Sequence, residues 1–152
     1  MVLVALVAAC GGDGGLPAAI EVSSPAFEEG ETVPDEFTCV GEDVSPPLEW
    51  SGVPESAAEL RITVTDPDAP SGNFTHWVVS GIDPSATGVG EGEVPTGGTE
   101  EENSFGETEY RGPCAPPGPA HRYIWTVEAL SEDGEVVARG SLTAEYEARV
   151  PS

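Results

Sequence analysis

Lysine is absent from this chain of 152 residues, and its positive charge rests on 5 arginines against 28 aspartates and glutamates, for a formal net charge of −23. An exterior so uniformly acidic repels nucleic acid and anionic membrane surfaces, which excludes DNA or RNA as a partner. Any anion the chain holds must sit in a locally shielded pocket. Long apolar runs are lacking too, because no stretch reaches the ~18 residues of a bilayer-crossing helix. No segment keeps a helical period over three turns, so the class is all-β with little helix. Histidine occurs only twice and cysteine three times. Chemistry that needs imidazole or thiol therefore has few places to be.

Hydrophobic residues make up 38% of the chain, enough for one domain with a single core and no second domain. A lysine-free acidic surface suits concentrated salt, where the screening length falls to ~3 Å at 1 M and self-repulsion is largely removed. A halophilic setting is the expectation.

Met1 to Ala9 is small or aliphatic and ends in Val7-Ala8-Ala9-Cys10 before a glycine-rich stretch. That order resembles the lipobox of prokaryotic lipoproteins, in which the cysteine thiol takes a diacylglycerol. On this reading 1–9 is a signal segment, 10–17 a flexible tether and 18–152 the globular domain. Lipid at Cys10 would anchor the domain to a membrane, facing outward in an extracytoplasmic position. An ordinary first β-strand is the alternative. With Cys10 so used, Cys39 and Cys114 remain, either as two buried free thiols or as a disulfide. Such a bridge would close a loop of about 76 residues and contribute about 4.5 kcal/mol in the chain-entropy model.

Along the chain, Ser23 to Pro47 is rich in turn formers. Leu60 to Thr65 alternates apolar with polar and reads as a half-buried strand. Trp77 to Ile82 reads as a strand covered on both faces. Tyr123, Trp125, Val127 and Ala129 alternate with polar neighbours, and Val136 to Thr143 supplies another strand. The stretch from Asp83 to Gly118 has few large apolar residues, and Ser85 to Glu102 is expected to be its most mobile part. A Greek-key β-sandwich accommodates these elements.

Both histidines sit at the mouth of an apolar run just after a proline-punctuated loop. One loop is Asp66-Pro67-Asp68-Ala69-Pro70 before Thr75-His76-Trp77-Val78-Val79; the other is Gly112-Pro113-Cys114-Ala115-Pro116-Pro117-Gly118 before His121-Arg122-Tyr123-Ile124-Trp125. With Phe27, Phe37 to Trp50, Phe105-Gly106 and Tyr110, these motifs resemble the phosphatidylethanolamine-binding protein family, in its prokaryotic Raf-kinase-inhibitor-like branch. The resemblance spans about four fifths of the chain in several separate motifs. It implies a β-sandwich of that family's type with a small preformed cavity for anionic or phospholipid-head-group-like ligands. It also implies non-catalytic binding without a cofactor, and regulation of a kinase or protease as a protein partner.

By position, the resemblance makes Asp66, Asp68, His76, Tyr110, Gly112, Pro113, His121 and Tyr123 the ligand-binding residues. Chemically, imidazoles and a tyrosine hydroxyl can donate to phosphate oxygens, and a carboxylate can orient an imidazole or accept an ammonium. As bare motifs, Asp66 and Asp68 could equally be turn residues, His76 a satisfied core histidine, and Tyr123 a packing residue. Arg122 reads as a structural ion-pair partner. A different class of function is a metal-assisted hydrolase using His76, His121 and Asp68 as ligands. No His-Glu-x-x-His spacing supports it, and no Gly-x-Ser-x-Gly elbow supports a serine hydrolase. The chain departs from the family after Leu130, where Ser131-Glu132-Asp133-Gly134 leads almost directly into a strand with no helix between.

Overall fold

A computed structural model describes residues 18–148. Cys10, the signal segment and the tether lie outside the described residues. Nine strands follow in chain order: β1 (Ala18–Ala19), β2 (Glu21–Ser23), β3 (Leu48–Ser51), β4 (Glu59–Asp66), β5 (Phe74–Ile82), β6 (Gly88–Val89), β7 (Thr99–Glu100), β8 (His121–Leu130) and β9 (Val136–Tyr146). One 3₁₀ turn at Asp35–Phe37 is the only helical element among the described residues.

The strands form two sheets. The larger has the order β1-β9-β8-β4-β5-β7 and the smaller β2-β3-β6. Period-two alternation explains the larger one. Leu60, Ile62 and Val64 of β4, with Tyr123, Trp125, Val127 and Ala129 of β8, point one way and are fully or almost fully buried. Ala138, Leu142, Ala144 and Tyr146 extend the same inward set on β9. The smaller sheet closes over them with Leu48 and Trp50, and the Trp50 indole N–H donates to the Ala86 carbonyl at 2.7 Å. Burying indole rings of 150–250 Å² apiece dominates the energy of such a core.

β5 is antiparallel to β4, and β8 lies on the other side of β4. The connection over 83–120 therefore carries the chain across the molecule. It is not the mobile excursion its composition suggests. β6 pairs with β3 and β7 with β5, while the Gly92 N–H bonds the Ser45 carbonyl and the Asp83 N–H the Thr96 carbonyl. Backbone bonding, invisible in residue type, stitches the stretch to both sheets. β5 differs in a similar way. Trp77, Val79 and Ile82 are buried while Val78 and Ser80 are half-buried, so only one face is covered. After Leu130 the chain turns through Ser131 to Glu135 straight into β9.

The larger sheet gains its last partners from the beginning of the described chain. β1 runs parallel to β9, and Thr32 bridges Glu145, also in parallel.

Candidate functional site

The inward alternation of β4 continues one step past Val64 to Asp66, so a carboxylate stands where another aliphatic side chain would fit. It is 3% exposed. A register shift between Val64 and Thr65 bends the end of the β4–β5 ladder. His76 lies on β5 beside that irregularity and is also buried. β8 begins at His121 and reaches Tyr123 two residues on, on the same face. The three strands thus deliver Asp66, His76, His121 and Tyr123 to one cavity of about 320 Å³.

Asp66 uses both oxygens. Oδ2 lies 2.7 Å from His121 Nδ1, and Oδ1 accepts the Asp68 N–H at 2.8 Å. His76 Nδ1 lies 2.7 Å from the Arg111 carbonyl oxygen. A carbonyl or carboxylate only accepts, so both Nδ1 atoms carry the proton and donate it. The other nitrogen of each ring, Nε2, is an acceptor in the neutral ring and a donor in the charged one. Burial holds the His76 pKa below the ordinary 6.5, against the opposing pull of the Arg111 and Gly112 backbone and of Asp66. Burial first, and Asp66 second, raise the Tyr123 phenol well above its usual range, so it stays an O–H donor.

The remaining residues singled out by sequence lie around the cavity, not on its wall. The Asp68 carboxylate turns to Arg122, taking its Nε at 3.0 Å, its Nη2 at 2.9 Å and its backbone N–H at 2.9 Å. Those bonds hold its pKa at about 2. The Tyr110 hydroxyl donates to the Phe37 carbonyl at 2.8 Å from the core. The Gly112 N–H donates to Asp43 Oδ1 at 2.7 Å, and a Cβ there would lie 2.0 Å from the Phe37 carbonyl oxygen. Only glycine permits that approach. The Pro113 carbonyl accepts the Cys39 N–H, and Cys39 is joined to Cys114 by a disulfide with a Cα–Cα distance of 5.4 Å. Cys114 itself lines the cavity. These contacts clamp the loop around Cys39 to the cavity's rim.

Phe74 and Phe105 line the cavity without having been singled out as site residues. Their ring centroids are 4.9 Å apart, and each lies within 5.5 Å of the His76 ring. Phe105 is 41% exposed, and the Arg111 guanidinium sits 5.4 Å from its ring centroid. Phe105 comes from a loop with no periodicity to mark it. The signal in sequence was its place in the Phe105-Gly106 motif, which carried no role for the side chain. The cavity wall is therefore largely apolar, with Asp66, His76, His121 and Tyr123 among its polar groups.

Among the described residues, no three His, Cys, Asp or Glu side chains gather as metal ligands, and the pairing of Asp68 with Arg122 removes it from a His76–His121 set. A larger, open hollow of about 630 Å³ beside β2 and β3 offers Glu21, Glu49 and serines but no imidazole. The chemistry is concentrated in the smaller cavity.

A family model described as phosphatidylethanolamine-binding protein matches residues 23–149. A UPF0098 protein of Methanothermobacter thermautotrophicus is 42% identical over 116 residues, covering 73% of this chain and 76% of the relative. A Mycobacterium tuberculosis protein named as a candidate lipoprotein, LppC, is 38% identical over 153 residues, covering 86% and 76%. Among solved structures, Escherichia coli YbcL, described as a new member of the mammalian family, superposes with a TM-score of 0.80 at 28% identity. It covers 86% of this chain and 99% of YbcL.

Proposed function

This chain belongs to the phosphatidylethanolamine-binding protein family, and on that premise we propose that its cavity is a non-catalytic receptor for a small ligand resembling a phospholipid head group. The observation that carries this reading is the Asp66–His121 pair at 2.7 Å, with Asp66 buried and His121 half-buried, in an otherwise largely apolar cavity. His121 donates from Nε2 only as the imidazolium, and Asp66 balances that charge where solvent is scarce. An anionic oxygen then finds a donor in His121 and another in the Tyr123 hydroxyl. His76, held neutral by burial, offers a lone pair to a ligand proton such as that of an ammonium group or a monoprotonated phosphate. Phe74, Phe105 and the proline-rich rim pack against the ligand's carbon atoms at little entropic cost.

Calorimetric titration of inorganic phosphate and of phosphoethanolamine into the wild type and His121→Ala tests the proposal. Affinity is expected to fall at least ~10-fold in the variant, the cost of one charge-assisted hydrogen bond. Equal affinity of wild type and His121→Ala overturns it.

A further inference from the structure

Asparagine is as scarce in this chain as histidine, and its two copies, Asn73 and Asn103, are used in opposite ways. Asn103 is 5% exposed and gives its whole amide to the backbone. Its Nδ2 donates to the His76 carbonyl at 3.3 Å and the Glu109 carbonyl at 2.8 Å, while its Oδ1 accepts the N–H of Phe105 at 2.9 Å and of Glu107 at 3.1 Å. That residue holds a loop together. Asn73 lies exposed in the turn between β4 and β5, and its side chain makes no hydrogen bond among the described residues. Its φ is negative, so the left-handed backbone that asparagine tolerates is not its reason for being there. The fold asks nothing of this amide.

The residues that follow supply a use for it. Asn73-Phe74-Thr75 is an Asn-x-Thr triplet without proline at its centre, the acceptor pattern for N-linked sugar, and no other Asn-x-Ser or Asn-x-Thr occurs in the sequence. We propose that Asn73 is an N-glycosylation site, taking an oligosaccharide from a lipid-linked sugar phosphate on the outer side of the membrane. The amide nitrogen bonds to the anomeric carbon of the sugar as that carbon's bond to the phosphate oxygen breaks. One amide proton goes to a base of the transferring enzyme, and the lipid phosphate leaves with the electron pair.

Phe74 and Thr75 pair with Asp66 and Thr65 in the β4–β5 ladder, so an enzyme can reach the extended triplet only before that ladder closes. Transfer therefore precedes folding, and the folded chain must have room for the product. It has that room, because Asn73 is exposed and a Cβ on the adjacent Gly72 would meet no atom within 4 Å. The compartment fits as well. The disulfide between Cys39 and Cys114 joins two exposed cysteines, and such bonds persist outside a reducing cytoplasm. The order Val7-Ala8-Ala9-Cys10 points the same way. Ala69, Pro70, Ser71 and Phe74 line the cavity, so a sugar on Asn73 stands beside its mouth, whatever ligand the cavity takes.

Mass spectrometry of the full chain from the cells that make it, cut after arginine, reads a peptide of residues 62–111 that contains both asparagines. Its mass is expected to rise by a whole number of sugar residues, and fragmentation is expected to place them on Asn73. Asn73→Gln is expected to abolish the shift, and circular dichroism is expected to match the wild type because the exposed amide has no bond to lose. Thr75→Ala is expected to abolish it too, while Thr75→Ser, which keeps the hydroxyl that the transferring enzyme reads, restores it. An unmodified wild-type peptide overturns the proposal, whether the chain is recovered from membrane or cytoplasm. So does sugar on Asn103, or sugar that survives Asn73→Gln and is lost only with Thr75, the pattern of an O-linked chain.

Discussion

Asp66 and His76 are buried polar residues set in a strand pattern that would otherwise run apolar, and their hydrogen bonds make the arrangement tolerable. Without the Arg111 carbonyl and the Asp66 carboxylate as acceptors, each imidazole would leave a donor unsatisfied at a cost of about 1–3 kcal/mol. His76 has a consequence for stability. Its folded pKa lies below the unfolded 6.5, chiefly through burial, so the unfolded chain binds the proton first as the pH falls. Its contribution is therefore complete above about pH 6.5 and is lost as the pH drops towards the folded value. Urea melts from pH 7.5 to 5 should show wild type losing stability more steeply than His76→Leu, and parallel curves would contradict this. At this scale Asp66, His76, His121 and Tyr123 were marked in sequence by the resemblance of their motifs to a family's, and the structure sets the four around one cavity. Asp68 was not separable from Asp66, since both occupy one Asp-Pro-Asp turn. Only the position of Arg122 on β8 decides which of the two turns outward.

Among the elements, the long strands β4, β8 and β9 announce themselves by period two, and inward residues from Leu60 to Tyr146 obey it. The short strands β1, β6 and β7 have two residues each and no period to read. They exist through backbone bonds to longer partners, which is why the 83–120 connection looked like an excursion. The rim depends on a different device, the bridge between the Cys39 loop and Cys114, whose sequence separation is 75. Both cysteines are exposed, so a dithiol reductant has access. Reduction is expected to lower unfolding stability by about 2–4 kcal/mol, somewhat below the chain-entropy figure because the reduced chain keeps residual structure. It should also weaken phosphate binding, because Cys114 forms part of the cavity wall. Denaturant midpoints and titrations before and after reduction, with the thiols alkylated, read both effects. A midpoint that does not move would show that the bridge carries no load.

For the whole molecule, charge outweighs every local effect in reach. All four described arginines are already bonded to carboxylates, Arg61 and Arg139 to Glu128, Arg111 to Glu107 and Asp43, and Arg122 to Asp68. Most of the acidic residues are left to repel one another. Raising salt from 0.1 to 1 M shortens the screening length from ~10 to ~3 Å. The melting temperature should climb, by about 2–4 °C for each kcal/mol of repulsion relieved. Calorimetric scans across that range test the point, and a melting temperature indifferent to salt would refute it. The charge behind this expectation is read from composition alone. The order of the six strands of the larger sheet was not, since pairing partners far apart in the chain leave no local trace. One of those pairings bears on how the molecule would respond to pulling. The opening segment lies alongside β9 in the same direction, through Ile20 to Arg139, Gly30 to Thr143 and Val33 to Glu145. Tension between the two ends of the chain therefore loads these bonds together in shear, rather than peeling them one after another.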